Sequence, residues 1–196
     1  MTNTNISYAD TVDPAGCNCG PDNYQICSRD PERTPMQWSS DKNAGFSNAD
    51  STWLPVNPNY LEVNVEAQKS AEESHLKVYQ ALSNLRKSDV RIQSGFWDTM
   101  LDGDQVLGIA RHVDYNAIIL AFNTGTEAYT ANFQPGPLEG TATVLIRSSG
   151  STNPGTMVGT QVDLSQVTME PYEAVVIDFQ FTQFKSGLER NVNFWK

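Results

Sequence analysis

The sequence predicts an α+β chain: a long irregular stretch, one amphipathic helix, and an antiparallel β-sandwich. Three observations lead there. Residues 1 to about 64 are rich in Asn, Asp, Pro, Ser and Gly, with no sustained period of two or of 3.6. From about Val65 to Asp89, apolar side chains return every three or four positions. From about Arg91 to Lys196, short alternating runs are separated by turn residues, the pattern of a sandwich.

The first stretch carries isolated aromatics, Tyr8, Tyr24, Trp38, Phe46, Trp53 and Tyr60, and is stiffened by Pro31, Pro35, Pro55 and Pro58. It reads as an ordered loop with short helical turns, and loops this long in compact domains are usually functional. In the helix, Ala71, His75, Val78, Tyr79, Leu82 and Leu85 form the apolar stripe, with Asn64 as the cap. Glu66, Glu72 and Glu73 lie toward the positive end of its dipole, and Arg86 and Lys87 toward the negative end. Such a helix must dock its stripe on something. The strands are expected at Ser94–Leu101, Val106–Val113, Ala117–Asn123, Ala128–Phe133, Thr141–Ile146, Gln161–Leu164 and Ala174–Phe179. Turns fall at Asp102-Gly-Asp104, Asp114-Tyr-Asn116, Thr124-Gly125, Pro135-Gly-Pro137 and Ser149-Gly150. Phe96, Trp97, Tyr115 and Phe122 read as core of the sandwich.

Composition limits the partners. The 196 residues include 13 Lys and Arg against 23 Asp and Glu, a formal net charge of −10. That surface repels phosphate backbones and anionic lipid, so neither nucleic acid nor a membrane surface is an expected partner. A neutral sugar meets no such penalty. No apolar run approaches the roughly 20 residues needed to span a bilayer, and the tail Asn191–Lys196 is no hydrophobic anchor. The start, Met1 to Ser7, lacks the features of a signal peptide. The chain therefore reads as cytosolic, or as a piece whose true N-terminus lies upstream.

The cysteines cluster at Cys17, Cys19 and Cys27, and the histidines, His75 and His112, are remote in sequence. No zinc spacing results. A loop disulfide joining Cys27 to Cys17 or to Cys19 is expected, with one thiol left over; the odd count also fits a partner lost upstream. His75 reads as a packed, hydrogen-bonded residue of the helix. His112 lies in a strand with no acidic partner in register and is assigned no role. Asp102-Gly-Asp104 is a hairpin turn with too few ligands for calcium. Asn5-Ile-Ser7 satisfies the N-glycosylation sequon, whereas Asn123-Thr-Gly125 and Asn153-Pro-Gly155 do not.

Arg29-Asp-Pro-Glu-Arg-Thr-Pro-Met-Gln-Trp38 concentrates chemistry between rigid prolines. Guanidinium and carboxylate groups can fork onto sugar hydroxyls while an aromatic face covers a pyranose ring. The competing reading is a self-bracing loop, with Arg29 or Arg33 paired to Asp30 or Glu32, and composition alone favours it.

The run Ser28-Arg-Asp-Pro-Glu-Arg-Thr-Pro-Met-Gln-Trp38, followed by Asn43-Ala-Gly-Phe-Ser47, resembles the maltases and oligo-1,6-glucosidases of glycoside hydrolase family 13. Asp10-Thr-Val-Asp-Pro-Ala-Gly16, Thr52-Trp-Leu-Pro-Val-Asn-Pro-Asn-Tyr60 and Ser74-His-Leu-Lys-Val-Tyr79 extend the resemblance in order, most like insect maltases, over about residues 6 to 90. It implies that residues 1–90 are the eighth βα loop and last helix of a catalytic (β/α)8 barrel, and 91–196 a C-terminal β-sandwich. Barrel sites are built from such loops. It also implies that Met1 matches an internal methionine closing a Gly-Glu-Glu-Ile-Gly-Met run. The family's nucleophilic Asp, acid/base Glu and stabilising Asp lie upstream of the matched region, so no catalytic residue is expected in this chain.

Arg33 is the one substrate-binding residue carried over. In the family, the arginine of Arg-Thr-Pro-Met-Gln-Trp closes the pocket for the non-reducing glucose by pairing with an acidic residue of an early barrel loop. Ser39 stands where the family commonly has Asp. The resemblance implies a retaining α-glucosidase acting on terminal α-1,4-linked glucose, without cofactor or metal. Its substrate would be a small oligosaccharide, and its structural partner the catalytic segment of the barrel. Such proteins are extracellular or membrane-anchored. The alternative is a non-catalytic sandwich module that binds carbohydrate or protein, like the receptor and transport-complex relatives of these maltases.

Overall fold

The computed structural model describes residues 3–185; expectations placed on Met1 and on Asn191–Lys196 lie outside them. The chain separates into two compact units, Met1–Leu76 and Lys77–Lys196.

In the first unit, short helices α1 (Pro14–Cys19) and α2 (Tyr24–Cys27) are joined by the Cys19–Cys27 disulfide, and Cys17 is the free, exposed thiol. Asp13 caps α1 ahead of Pro14, the arrangement that a residue with no N–H and a fixed φ favours. The backbone of 37–45 is tied into a knot: the N–H groups of Trp38 and Ser39 both donate to the carbonyl of Ala44. Asn43, Ala44 and Gly45 have φ of 54°, 58° and 66°, and Gly45 is needed there because a Cβ would lie 2.5 Å from Ser39 Oγ.

Helix α3 (Val65–Ser70) starts where Asn64 accepts from the N–H of Ala67. The N–H groups of Val65 and Glu66 donate to the carbonyls of Gln37 and Trp38. Three of the four orphan donors at the helix start are thus satisfied, two of them by the Arg29–Trp38 run.

The expected single helix from Val65 to Asp89 is two. The chain breaks after Ser70 because Ser74 Oγ donates to the Gln68 carbonyl and Gln68 Oε1 accepts from Leu76 N–H, capping α4 (His75–Ser88). A third helix, α5 (Val90–Ser94), follows, capped by Asp89. The expected stripe shifts accordingly: His75 and Tyr79 are exposed and Leu82 is largely so. The packed face is Val78, Ala81 and Leu85, at spacings of three and four.

The second unit is built on a five-stranded antiparallel sheet in the order β1-β2-β3-β7-β5. The strands are β1 (Phe96–Asp102), β2 (Val106–Val113), β3 (Asn116–Asn123), β5 (Leu138–Arg147) and β7 (Ala174–Phe184). A two-stranded ribbon pairs β4 (Tyr129–Ala131) with β6 (Val167–Met169). The sheet's period of two sorts its residues: Ala117, Ile119, Ala121, Val144, Val175, Ile177 and Phe179 face a core shared with Ala131, Val167, Met169, Phe133 and Leu164. Ile118, Ile146 and Val176 face the other way, onto Val78, Ala81, Leu85 and Ile92 of α4 and α5. A register shift between Val144 and Ile146 lets Leu145 and Ile146 both pack on that helix-covered side.

Two expectations fail here. Gln161–Leu164 is not a strand: only Gln161 bridges, to Thr143, and Leu164 enters the core from a turn. Phe96 and Trp97 are 77% and 63% exposed rather than core, because β1 is an edge strand; Tyr115, by contrast, packs on Phe181 and Phe184. His112 has no acidic residue in register, since it lies opposite Phe96, but a diagonal neighbour reaches it. Asp98 Oδ2 lies 3.1 Å from its Nε2, reached diagonally across the β1–β2 pair.

Glu173, 3% exposed, organises the 3₁₀ turn Pro154–Thr156 and the start of β7. Its carboxylate accepts from Ser151 Oγ (2.7 Å), Asn153 Nδ2 (3.0 Å), the Thr156 hydroxyl and the Glu170 N–H (2.8 Å). Burial pushes its pKa up, but these donors outweigh it and hold it below the ordinary 4.5. A depressed carboxylate contributes stability that is present above its unfolded pKa and lost as pH falls through the folded value. We expect the wild-type urea midpoint to hold steady above pH 4.5 and to drop on further acidification. Glu173→Gln should flatten that acid limb, and an unchanged limb would remove Glu173 from the account.

Candidate functional site

The first unit holds two carboxylates with no exposed surface, Asp13 and Asp30. Asp13 accepts Arg29 side-on, Nε to Oδ2 and Nη2 to Oδ1, both at 2.9 Å, and takes the Arg29 N–H at 2.8 Å. Asp30 Oδ2 accepts the N–H groups of Val12 and Asp13, both at 2.8 Å, while Oδ1 takes Arg33 Nη2 at 2.7 Å. The same Arg33 nitrogen is 3.7 Å from Asp13. The segments 12–13 and 29–33 are therefore laced together reciprocally.

The Arg29 hydrogen bonds hold Asp13 well below the usual carboxylate range. Burial pushes Asp30 upward, but the Asp13 and Val12 amides and then Arg33 bring it below 3.8. Asp13 in turn raises Arg29. Neither carboxylate is placed to lend or take a proton near neutrality.

The loop therefore braces itself, as composition favoured, but with a different partner. Arg29 bonds to Asp13, not to Asp30 or Glu32; only the Arg33–Asp30 pairing is as expected. The pull of two amides and Arg33 on Asp30 leaves Arg29 to the second buried carboxylate. The Asp13-Pro14 step marks Asp13 as a helix cap, but nothing in the sequence marks it as the partner of Arg29.

Arg33 is 37% exposed along its side chain, and its guanidinium sits 5.7 Å from the centre of the Trp53 ring. Its Nε is buried without a hydrogen-bond partner. Trp53 also lines an open cleft of about 590 Å³ with Asp10, Val12, Asn43, Asp50 and Tyr60. Arg33 itself is not among the cleft-lining residues. Trp38 is 51% exposed, while Gln37 is buried and donates to Asn59 and to the Val63 carbonyl. Among the described residues, no group of three or more His, Cys, Asp or Glu could hold a metal ion. No helix among them is long and apolar enough to cross a membrane.

Residues 1–95 match the family model "Alpha amylase, catalytic domain". The class follows from this match together with its relatives: the chain belongs to the α-amylase family, glycoside hydrolase family 13. Within it, the chain is similar to insect maltases and α-glucosidases. It is 40% identical over 179 residues to maltase 1 of Drosophila virilis, covering 89% of the chain and 27% of that protein. It is 46% identical over 123 residues to a salivary alpha-glucosidase of Aedes aegypti, covering 62% and 21%. An amino acid transporter heavy chain of Rattus norvegicus is 32% identical over 148 residues, covering 74% and 21%. The chain thus spans roughly a quarter of the length of these relatives. In fold it is like trehalose-6-phosphate hydrolase of Bacillus licheniformis, with a TM-score of 0.75 at 24% identity over 91% of this chain and 34% of that one.

Proposed function

We propose that the chain is the C-terminal portion of a retaining α-glucosidase of the maltase type, whose complete form releases terminal α-1,4-linked glucose. In this reading, residues 1–90 are the eighth βα loop and last helix of a (β/α)8 barrel, and 91–196 its C-terminal β-sandwich. The rest of the barrel is its structural partner and supplies the catalytic carboxylates. Maltase 1 of Drosophila virilis and the salivary alpha-glucosidase of Aedes aegypti support this class; the salivary enzyme and the amino acid transporter heavy chain of Rattus norvegicus support an extracellular or membrane-anchored setting.

The observation that carries the site is Arg33. A guanidinium anchored by a buried carboxylate and laid beside Trp53 keeps a fixed direction while remaining partly open to solvent. That is how a sugar hydroxyl is met without paying much rotamer entropy on binding. Asp30 cannot serve as a nucleophile, since two amides and Arg33 occupy it, and retaining hydrolysis needs two free carboxyls roughly 5 Å apart.

The purified chain is expected to give no turnover of maltose or a nitrophenyl α-glucoside. The form extended upstream through the barrel should cleave both, and Arg33→Ala in it should raise KM. Turnover by the 196-residue chain, abolished by a change at Asp30 or Glu32, overturns the proposal.

A second reading, a non-catalytic carbohydrate- or protein-binding module, draws on the similarity to the transporter heavy chain and on the exposed ring of Trp97. Calorimetric titration with maltose decides it: heat lost in Trp97→Ala favours the module, and no heat favours the maltase reading.

A further inference from the structure

We propose that Asn5 is an N-glycosylation site, modified in the lumen of the secretory pathway before the first unit folds. Three observations converge. The Asn5-Ile6-Ser7 triplet has the sequon's order. The backbone alternates there, so that Asn5 is exposed while Ile6 is 3% exposed and Thr4 is buried; a bulky sugar at Asn5 displaces no core side chain. The Cys19–Cys27 disulfide places folding in an oxidising compartment, where the transfer machinery resides.

The group transferred is an oligosaccharide on a lipid pyrophosphate. Asn5 Nδ2 forms a bond to the anomeric carbon, the bond from that carbon to the pyrophosphate oxygen breaks, the lipid pyrophosphate leaves, and the amide gives up one proton. The sequon hydroxyl must be available at that moment. In the folded chain it is not: Ser7 Oγ donates to Asp10 Oδ2 at 2.6 Å and accepts the Asp10 N–H at 3.3 Å, capping the turn Tyr8–Asp10. Transfer therefore precedes formation of that turn. Once folded, the sugar leaves the surface beside Tyr24 and Gln25, which share a small cleft with Asn5. It would sit over α2, shielding the disulfide-bearing hairpin from reductants and proteases.

The test is peptide mapping of the full chain secreted from mammalian cells behind a cleavable leader. Treatment with peptide N-glycosidase in ¹⁸O water should convert Asn5 to labelled Asp in the tryptic peptide ending at Arg29. Asn5→Gln and Ser7→Ala should each abolish the label, and Asn3→Gln should leave it. Secreted wild-type chain with the Cys19–Cys27 bond formed and Asn5 unmodified would overturn the proposal, with no variant needed to read the result.

Discussion

Asp30→Ala is expected to cost about 3 kcal/mol of stability, because it strands buried donors instead of removing a contact cleanly. The Val12 and Asp13 amides lose their acceptor, and Arg33 loses its 2.7 Å partner and is left with Asp13 at 3.7 Å. Since Asp13 is itself fully buried, the change also loosens the segment that positions it for Arg29. Amide exchange at Val12 and Asp13 should accelerate first. Asp30→Asn, which keeps the shape and one acceptor, should lose less. A denaturation midpoint unchanged in Asp30→Ala would refute the lacing of residues 12–13 to 29–33. The sign with pH is fixed as well: the Asp30 contribution is complete above pH 3.8 and falls away as pH drops through its lowered pKa.

Phe179→Ala is expected to cost about 4 kcal/mol, the range for a large aromatic removed from a packed core. Phe179, 2% exposed, lies between Ala117 and Ala142, its register partners on the two flanking strands. Its ring also fills the space above Gly140, where a Cβ would come within 2.7 Å of it and 2.2 Å of the Gln180 carbonyl oxygen. Three small residues make room for one large one, so its deletion leaves a cavity that strands cannot easily collapse. Phe179→Leu should retain most of the stability. A urea-derived loss below about 1 kcal/mol for Phe179→Ala would mean that the site relaxes.

The strands were legible because alternation and turn residues are local signals. β2 spans Val106–Val113 as read, and β3 begins one residue earlier than expected. Where the reading failed, the deciding partner was distant in sequence. Phe96 and Trp97 alternate like core residues, yet strand order leaves β1 at an edge. Gln161–Leu164 alternates too, but it meets β5 through one bridge, where the Val162 N–H donates to the Ala142 carbonyl, rather than through a ladder. The break between α3 and α4 rests on Gln68 and Ser74, ordinary helix residues until one caps and the other competes.

The Arg29–Trp38 run shows the division most sharply. The order of its residues carries the resemblance to the maltases; Arg33 is singled out only by that resemblance, not by the density of prolines and charges, and its role is a proposal. Which carboxylate each arginine takes was decided only by the tertiary structure. Asp13 is 16 residues from Arg29, and no local pattern ranks it above Asp30 or Glu32. The fold brings it there by letting Asp30 accept the amides of Val12 and Asp13, and a buried charge, once placed, must be paired where it lies.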